Sequence, residues 1–166
     1  MPTPAFIASL RERIGHELLL LPTVAVLARD ADDRLLLVQD RESGLWSCPG
    51  GIVEPGELPA DAAVRETWEE SGVLVELTQL AGVFGGEHCA NTYRNGDRIA
   101  FVATVFDARR VSGRPRADGA ETGDARFFAA DEIAGLPIRP GTRLFLQAGA
   151  PDRARAFFKP STWLPD

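Results

Sequence analysis

The sequence predicts an α/β (α+β) fold in which a mixed β-sheet is sandwiched between helices. Three observations carry this. Apolar, β-branched runs recur at residues 23–29, 34–39, 73–84 and 99–106. One strongly signalled helix, residues 59–71, lies between the second and third runs, and another is expected at 142–147. No Pro/Gly/Ser linker, internal repeat or low-complexity segment divides the chain. A single domain over residues 1–166 is therefore expected, with a short helical extension over about residues 1–20.

Taken in order, Phe6, Ile7, Leu10 and Ile14 fall at helical spacing, which predicts a short amphipathic helix over 5–14. Asp30-Ala31-Asp32-Asp33 separates the first two apolar runs and reads as a turn between strands. Residues 44–56 are rich in Gly and Pro and read as an irregular loop. Pro59 suits the first turn of the central helix and Gly72 its stop. Asn95-Gly96 predicts a hairpin turn between extensions of the third and fourth strands. Residues 117–124, carrying Gly119 and Gly123, read as a polar loop that leads into a short strand at 126–129.

Composition narrows the function classes. Hydrophobic residues make up 45% and charged residues 25%, a globular balance that argues against a disordered tail or a fibre. Lys and Arg total 18 against 24 Asp and Glu, giving −6 and a pI near 5.0. A binder of nucleic-acid polymers needs the opposite sign. An acidic small-molecule substrate remains compatible, because a bound divalent metal reverses the local charge. The longest apolar stretch, residues 18–28, is about half the roughly 20 residues a membrane span needs, and Pro22 interrupts it. No basic segment followed by an apolar one opens the chain, so no secretory signal is expected. Cys48 and Cys89 make no disulfide framework, which points to a reducing cytoplasm.

The chemistry concentrates on the central helix. At about 100° per residue, Glu66, Glu69 and Glu70 share one sector about 100° wide. Val64 and Trp68 point roughly the other way, where they are expected to bury against the sheet. Ala62 and Ala63 lie below the acids and let something bulky approach. Read alone, the three acids are a solvated face. Their position in the last two turns, however, opposes the helix dipole, and a divalent cation turns that penalty into a binding site. Carboxylate oxygens without a neighbouring His or Cys suit Mg²⁺ or Mn²⁺ better than zinc.

Gly51, five residues, Glu57, seven residues, then Arg65-Glu66-Thr67-Trp68-Glu69-Glu70-Ser71-Gly72-Val73 resembles the signature box of the Nudix hydrolases, MutT-like proteins, along its whole length. Thr67 is the one departure, at a place where the pattern wants an aliphatic residue. The preceding Leu45-Trp46-Ser47-Cys48-Pro49-Gly50-Gly51 is similar to the family's entry into that box, and the resemblance spans roughly residues 22–133.

The resemblance implies a metal-dependent pyrophosphohydrolase that cleaves a phosphoanhydride bond of a nucleoside diphosphate linked to another moiety. It implies Glu69 and Glu70 as principal ligands of Mg²⁺, with Mn²⁺ as a substitute, and the Gly50 carbonyl as a further ligand. Glu66 would hold a water or accept its proton. Glu57 and Arg65 are similar to the family's internal salt bridge, with Gly51 and Gly72 as structural positions of the box. Glu121 stands where the family often places an additional acid outside the box, as fourth ligand or general base; it reads equally as a solvated loop acid beside Asp118 and Asp124. Arg41 and Arg94 are candidate substrate contacts, although Arg41 also reads as an exposed strand-end residue. Trp46, Tyr93 and Phe84 could each stack on a base or belong to the core. His16, His88, Cys48 and Cys89 lack zinc-site spacing.

Two alternatives accompany this reading. One is a catalytically inactive Nudix-like nucleotide sensor, which would be expected to lack box carboxylates. The other is an isoprenyl diphosphate isomerase on the same scaffold, which needs a Cys and Glu pair in an apolar pocket. The residues marking the ADP-ribose and diadenosine polyphosphate subgroups are not met, since His88 and Ala90 occupy those places and Tyr93 is offset. Family members often pair as homodimers, and no feature of the sequence selects an assembly.

Overall fold

A computed structural model describes residues 4–93, 95–147 and 156–157. The elements run α1 (Ala5–Ile14), β1 (Leu19–Arg29), β2 (Leu35–Asp40), β3 (Trp46–Ser47), α2 (Pro59–Ser71), β4 (Val73–Phe84), β5 (Ala90–Thr92), β6 (Arg98–Gly113), β7 (Thr122–Phe128), α3 (Ala130–Ile133) and α4 (Pro140–Leu146). The sheet order is β3-β2-β1-β6-β4, with β5 paired to β6 and β7 to β2. β1 and β6 are parallel from Leu19 opposite Ile99 to Arg29 opposite Arg109, and the remaining pairs are antiparallel. The sheet is mixed.

Strand alternation divides its two faces. Ala25 and Leu27 of β1 and Leu35 and Leu37 of β2 join a core with Trp46, Phe84, Phe128 and, from α4, Phe145. Val24, Val26, Ala28 and Leu36 point the other way, onto Ala62 and Ala63 of α2. Helices therefore cover both faces. No helix among the described residues is long and apolar enough to cross a membrane.

Several boundaries differ from expectation. β6 reaches Gly113 because its polar end pairs along β4, with register shifts at three places. β7 starts at Thr122, inside the expected polar loop, where it pairs with Asp40. Asn95-Gly96 joins β5 to β6, not β4 to β6. β1 meets β2 only at Arg29 opposite Leu35, because the loop 49–53 bonds along the edge of β1 that β6 leaves open. Asp30 closes the turn between them, its carboxylate accepting from the Asp32 and Arg34 amides at 3.0 Å each.

Pro59 at the start and Gly72 in the left-handed region (φ 66°) bound α2 as expected. The buried stripe is Ala62, Ala63, Glu66, Thr67 and Ser71. Trp68, expected in the core, is 51% exposed. Small side chains bring α2 close to the sheet, with the Thr67 hydroxyl donating to Ala63 O (2.7 Å), and the large indole is left on the outer side. At the N-terminus, Arg11 and His16 tie α1 to the start of β6: Arg11 donates to Arg98 O at 2.9 Å, and His16 Nδ1 lies 2.8 Å from Asp97.

Candidate active site

The loop after β3 runs beside β1, where the Val24 amide donates to Gly51 O and the Val26 amide to Pro49 O (2.9 Å each). Carbonyls alternate sides along an extended segment, so the Gly50 backbone faces away from β1 and towards α2. Its amide donates to Glu70 Oε2 at 3.0 Å. A Cβ on Gly50 would overlap the Val24 carbonyl oxygen, and one on Gly51 would overlap the Glu66 carboxyl. These two glycines let backbone and acids meet.

Arg65 organises the other side. Its Nε and Nη2 grip both oxygens of Glu57 at 2.8 Å, and Nη2 also donates to Ile52 O at 3.2 Å. Nη1 bridges Glu66 (2.9 Å) and Glu69 (3.1 Å). One guanidinium thus pins the loop to the helix and aligns two acids. Bonds from Arg65, aided by the Glu54 amide and opposed by desolvation, hold the Glu57 carboxyl below its ordinary value. Burial pushes Glu66 up despite Arg65, and neighbouring Glu69 and Glu57 add to that. Desolvation drives Glu70 up to about 8, against the Gly50 amide and with help from the charges of Glu66 and Asp118.

Asp118 is the acid that sequence reasoning passed over as a solvated neighbour. Its Oδ1 accepts from the amides of Ala120, Glu121 and Thr122 at 2.9–3.1 Å, which folds the loop before β7. Burial pushes this carboxyl up, but the Thr122 amide and hydroxyl and the Ala120 amide more than offset it, so the net shift is downward. The Thr122 hydroxyl lies 3.1 Å from Glu70 O and 2.9 Å from Asp118. The loop bearing Glu121 is therefore fastened to the last turn of α2. The available signal was an Asp-Gly turn with a Thr shortly after it. Arg41 reaches the same loop, donating to Gly119 O at 2.5 Å, while its amide donates to Glu121 O at 2.9 Å.

The other candidates lie elsewhere. Trp46 is 4% exposed, edge-on to Phe128 at 4.8 Å, with the Arg126 guanidinium 5.4 Å from its ring centre. It is a core residue and offers no face to a base; pairing of β3 with β2 and a bridge to Ile138 draw it inward. Phe84 is likewise core, stacked on Phe157 at 5.6 Å. Tyr93 is 49% exposed at the β5–β6 turn, where its amide donates to Asp97 O. Arg94 lies outside the described residues. Cys48 and Cys89 are buried in the core on the sheet face opposite α2, and burial pushes the Cys48 thiol up to about 12. The core cluster that holds them contains no Glu among its members, so the Cys and Glu pair of an isomerase is not met there.

A model of the NUDIX domain matches residues 19–148. The chain belongs to the Nudix family. It is 33% identical over 115 residues to the uncharacterized Nudix hydrolase YvcI of Bacillus subtilis, covering 66% of this chain and 67% of that protein. It is also 33% identical over 111 residues to a MutT-like protein of Streptomyces ambofaciens, covering 67% and 65%. The chain thus spans about two thirds of the length of the curated relatives it matches. The crystal structure of a MutT NUDIX hydrolase from Burkholderia pseudomallei superposes with a TM-score of 0.66 at 28% identity, over 80% of this chain and 99% of that one. The sheet, helix α2 and the glycine loop are thus those of a Nudix fold.

Nudix hydrolases are generally divalent-metal dependent, and the donors offered here fit such an ion in kind: the carboxylates of Glu66, Glu69 and Glu70 and the Gly50 carbonyl are all hard oxygens. The room that a Cβ at Gly51 would fill is taken by the Glu66 carboxyl, and Glu70 lies against the neighbouring Gly50 amide. Among the described residues no three acidic, imidazole or thiol side chains are already gathered as a cation site. Arg65 Nη1 holds Glu66 and Glu69, and Glu70 is turned onto Gly50. Glu69, at 36% side-chain exposure against 7% for Glu66, is the more exposed of the two acids that Arg65 Nη1 holds.

Proposed function

We propose that this Nudix domain, taken as residues 1–166 with α1 as an extension, is a metal-dependent pyrophosphohydrolase. Its substrate is a nucleoside diphosphate linked to another moiety, and the bond cut is a phosphoanhydride. The observation that supports this reading is that two box acids lie against consecutive glycines, Glu70 bonded to the Gly50 amide and Glu66 packed against Gly51. Mg²⁺, or Mn²⁺ in its place, would be held by Glu66, Glu69, Glu70 and the Gly50 carbonyl, and would supply neutralisation of the phosphate charge and activation of the attacking water.

The chain's own residues do the rest. Arg65 fixes the Glu66 carboxylate through Nη1 while anchored on Glu57. Glu66 or Glu121 takes the proton of the attacking water, a step worth about 10²- to 10⁴-fold. Burial keeps the proton affinity of Glu66 above that of a free carboxylate, which suits a base. Arg41 steadies the Glu121 loop through Gly119. We place the enzyme in the cytoplasm, acting on small nucleotide-type substrates, with a homodimer as its assembly.

The deciding experiment is a panel of nucleoside triphosphates, nucleotide sugars, ADP-ribose and oxidised nucleotides incubated with purified protein and Mg²⁺, with products separated by chromatography. Cleavage at a phosphoanhydride that Glu70→Gln abolishes is expected. A folded, Mg²⁺-supplied protein that turns over none of them, or a Glu70→Gln variant as fast as its parent, overturns the reading.

A further inference from the structure

Beyond the acids, the last turn of α2 meets the chain as it leaves β6. An open groove of about 510 Å³ lies there, lined by Trp68, Gly72, Gly113, Arg114, Pro115 and Arg116. Backbone contacts fix its walls. The Arg116 amide donates to Ser71 O at 2.7 Å, and a Cβ on Gly113 would overlap the Gly72 carbonyl oxygen. Gly72 and Gly113 both have positive φ, 66° and 87°, so the close approach suits glycine at each. The Trp68 side chain stands beside them, half exposed.

The charge here runs against the rest of the molecule. The chain carries −6, yet residues 109–116 hold Arg109, Arg110, Arg114 and Arg116 and no acid. Two of these are occupied: Arg109 by Glu76 (2.6 and 3.0 Å) and Arg110 by the Gly113 carbonyl (2.6 and 3.0 Å). Arg114 and Arg116 are exposed, and neither guanidinium is paired among the described residues. Guanidinium forks recognise phosphate oxygens in a bidentate manner, and an exposed indole face stacks on a base.

We propose that this groove binds a nucleoside phosphate, with the base against Trp68 and the phosphate on Arg114 and Arg116. No box carboxylate lines the groove, none of its groups is a metal ligand in the proposed chemistry, and it needs no divalent cation. Its existence is independent of the hydrolytic reading.

The test uses the full chain in EDTA, titrated with ADP, inorganic phosphate or adenosine and followed by calorimetry. Tryptophan emission, referenced to Trp68→Phe, reports the ring. Saturable ADP binding is expected, at least tenfold tighter than phosphate or adenosine alone, weakening with added salt. The double variant Arg114→Gln/Arg116→Gln should lose tenfold or more in ADP affinity with an unchanged circular-dichroism spectrum. Absent ADP binding, binding the double variant keeps, or inorganic phosphate binding as tightly as ADP would each overturn the proposal. Because no metal is present, failure here leaves hydrolysis untouched, and inactivity on the Mg²⁺ panel leaves this site untouched.

Discussion

Gly51 and Glu66 compete for one volume: the place a Cβ on Gly51 would take is already filled by the Glu66 carboxyl. Glu66 is 5% exposed and bonded to Arg65 at 2.9 Å, so it cannot yield without disturbing the guanidinium that also holds Glu57 and Glu69. Gly51→Ala should therefore keep its secondary structure while losing about 10²-fold or more in kcat, since small displacements of reacting groups carry such costs. Steady-state kinetics beside circular dichroism measures this. An unchanged kcat would show that the placement of Glu66 is immaterial.

The Arg65–Glu57 pair is two-pronged and mostly shielded, with side-chain exposures of 25% and 17%. A double-mutant cycle with Arg65→Lys and Glu57→Gln should return a coupling of about 1–3 kcal/mol in urea unfolding. Lys cannot reproduce the fork. The pH dependence has a definite sign. Glu57 titrates below its ordinary 4.5 in the fold, so its contribution is present above that value and lost as pH falls through the lower folded one. The stability gap between parent and Glu57→Gln should close as the pH drops below 4.5. A gap that widens on acidification would contradict the assignment.

Much of this arrangement is legible in the chain itself, for physical reasons that can be named. Pro59 and Gly72 mark both ends of α2 because each has a backbone requirement that only those positions satisfy. Trp68 misleads because helical periodicity identifies a face but does not say which face is buried. A stripe of Ala62, Ala63, Thr67 and Ser71 that lets α2 approach the sheet wins over one large side chain. The extent of β6 is hidden because Asp107, Arg109 and Arg110 look like loop residues until β4 lies alongside. Trp46 stays open between base stacking and the core until β2 and Ile138 enclose its strand. Asp118 acquires its role only through a Thr122 hydroxyl that touches α2.

That hydroxyl yields a further expectation. Thr122 is 3% exposed, and its Oγ1 joins Asp118 to the Glu70 carbonyl. Thr122→Val keeps the shape but removes the link and leaves the Asp118 amide, now bonded at 3.0 Å, without that acceptor. A loss of about 1–3 kcal/mol in denaturant stability is expected. Amide hydrogen exchange should rise at residues 118–122 before it rises elsewhere. Uniform exchange across the sheet instead would mean that the loop is not held by this contact.

Glu70 titrates in the opposite direction from Glu57. Its folded value is pushed from 4.5 to about 8 by desolvation, so the fold favours the protonated acid. Its stabilising effect is full below 4.5 and disappears as pH rises towards about 8, where the buried carboxylate is charged. In metal-free protein, Glu70→Gln keeps an acceptor for the Gly50 amide but carries no charge. The variant should gain on its parent progressively across that interval, by an amount on the order of a few kcal/mol, and show no gain in more acidic buffer. Thermal midpoints collected over the pH series in EDTA measure the effect. Repeating the series with Mg²⁺ should raise the midpoint of the parent and not that of the variant, because a ligand stabilises only the state that binds it. A variant that melts lower than its parent at alkaline pH would mean that the Glu70 carboxylate is not held at the cost deduced from its burial.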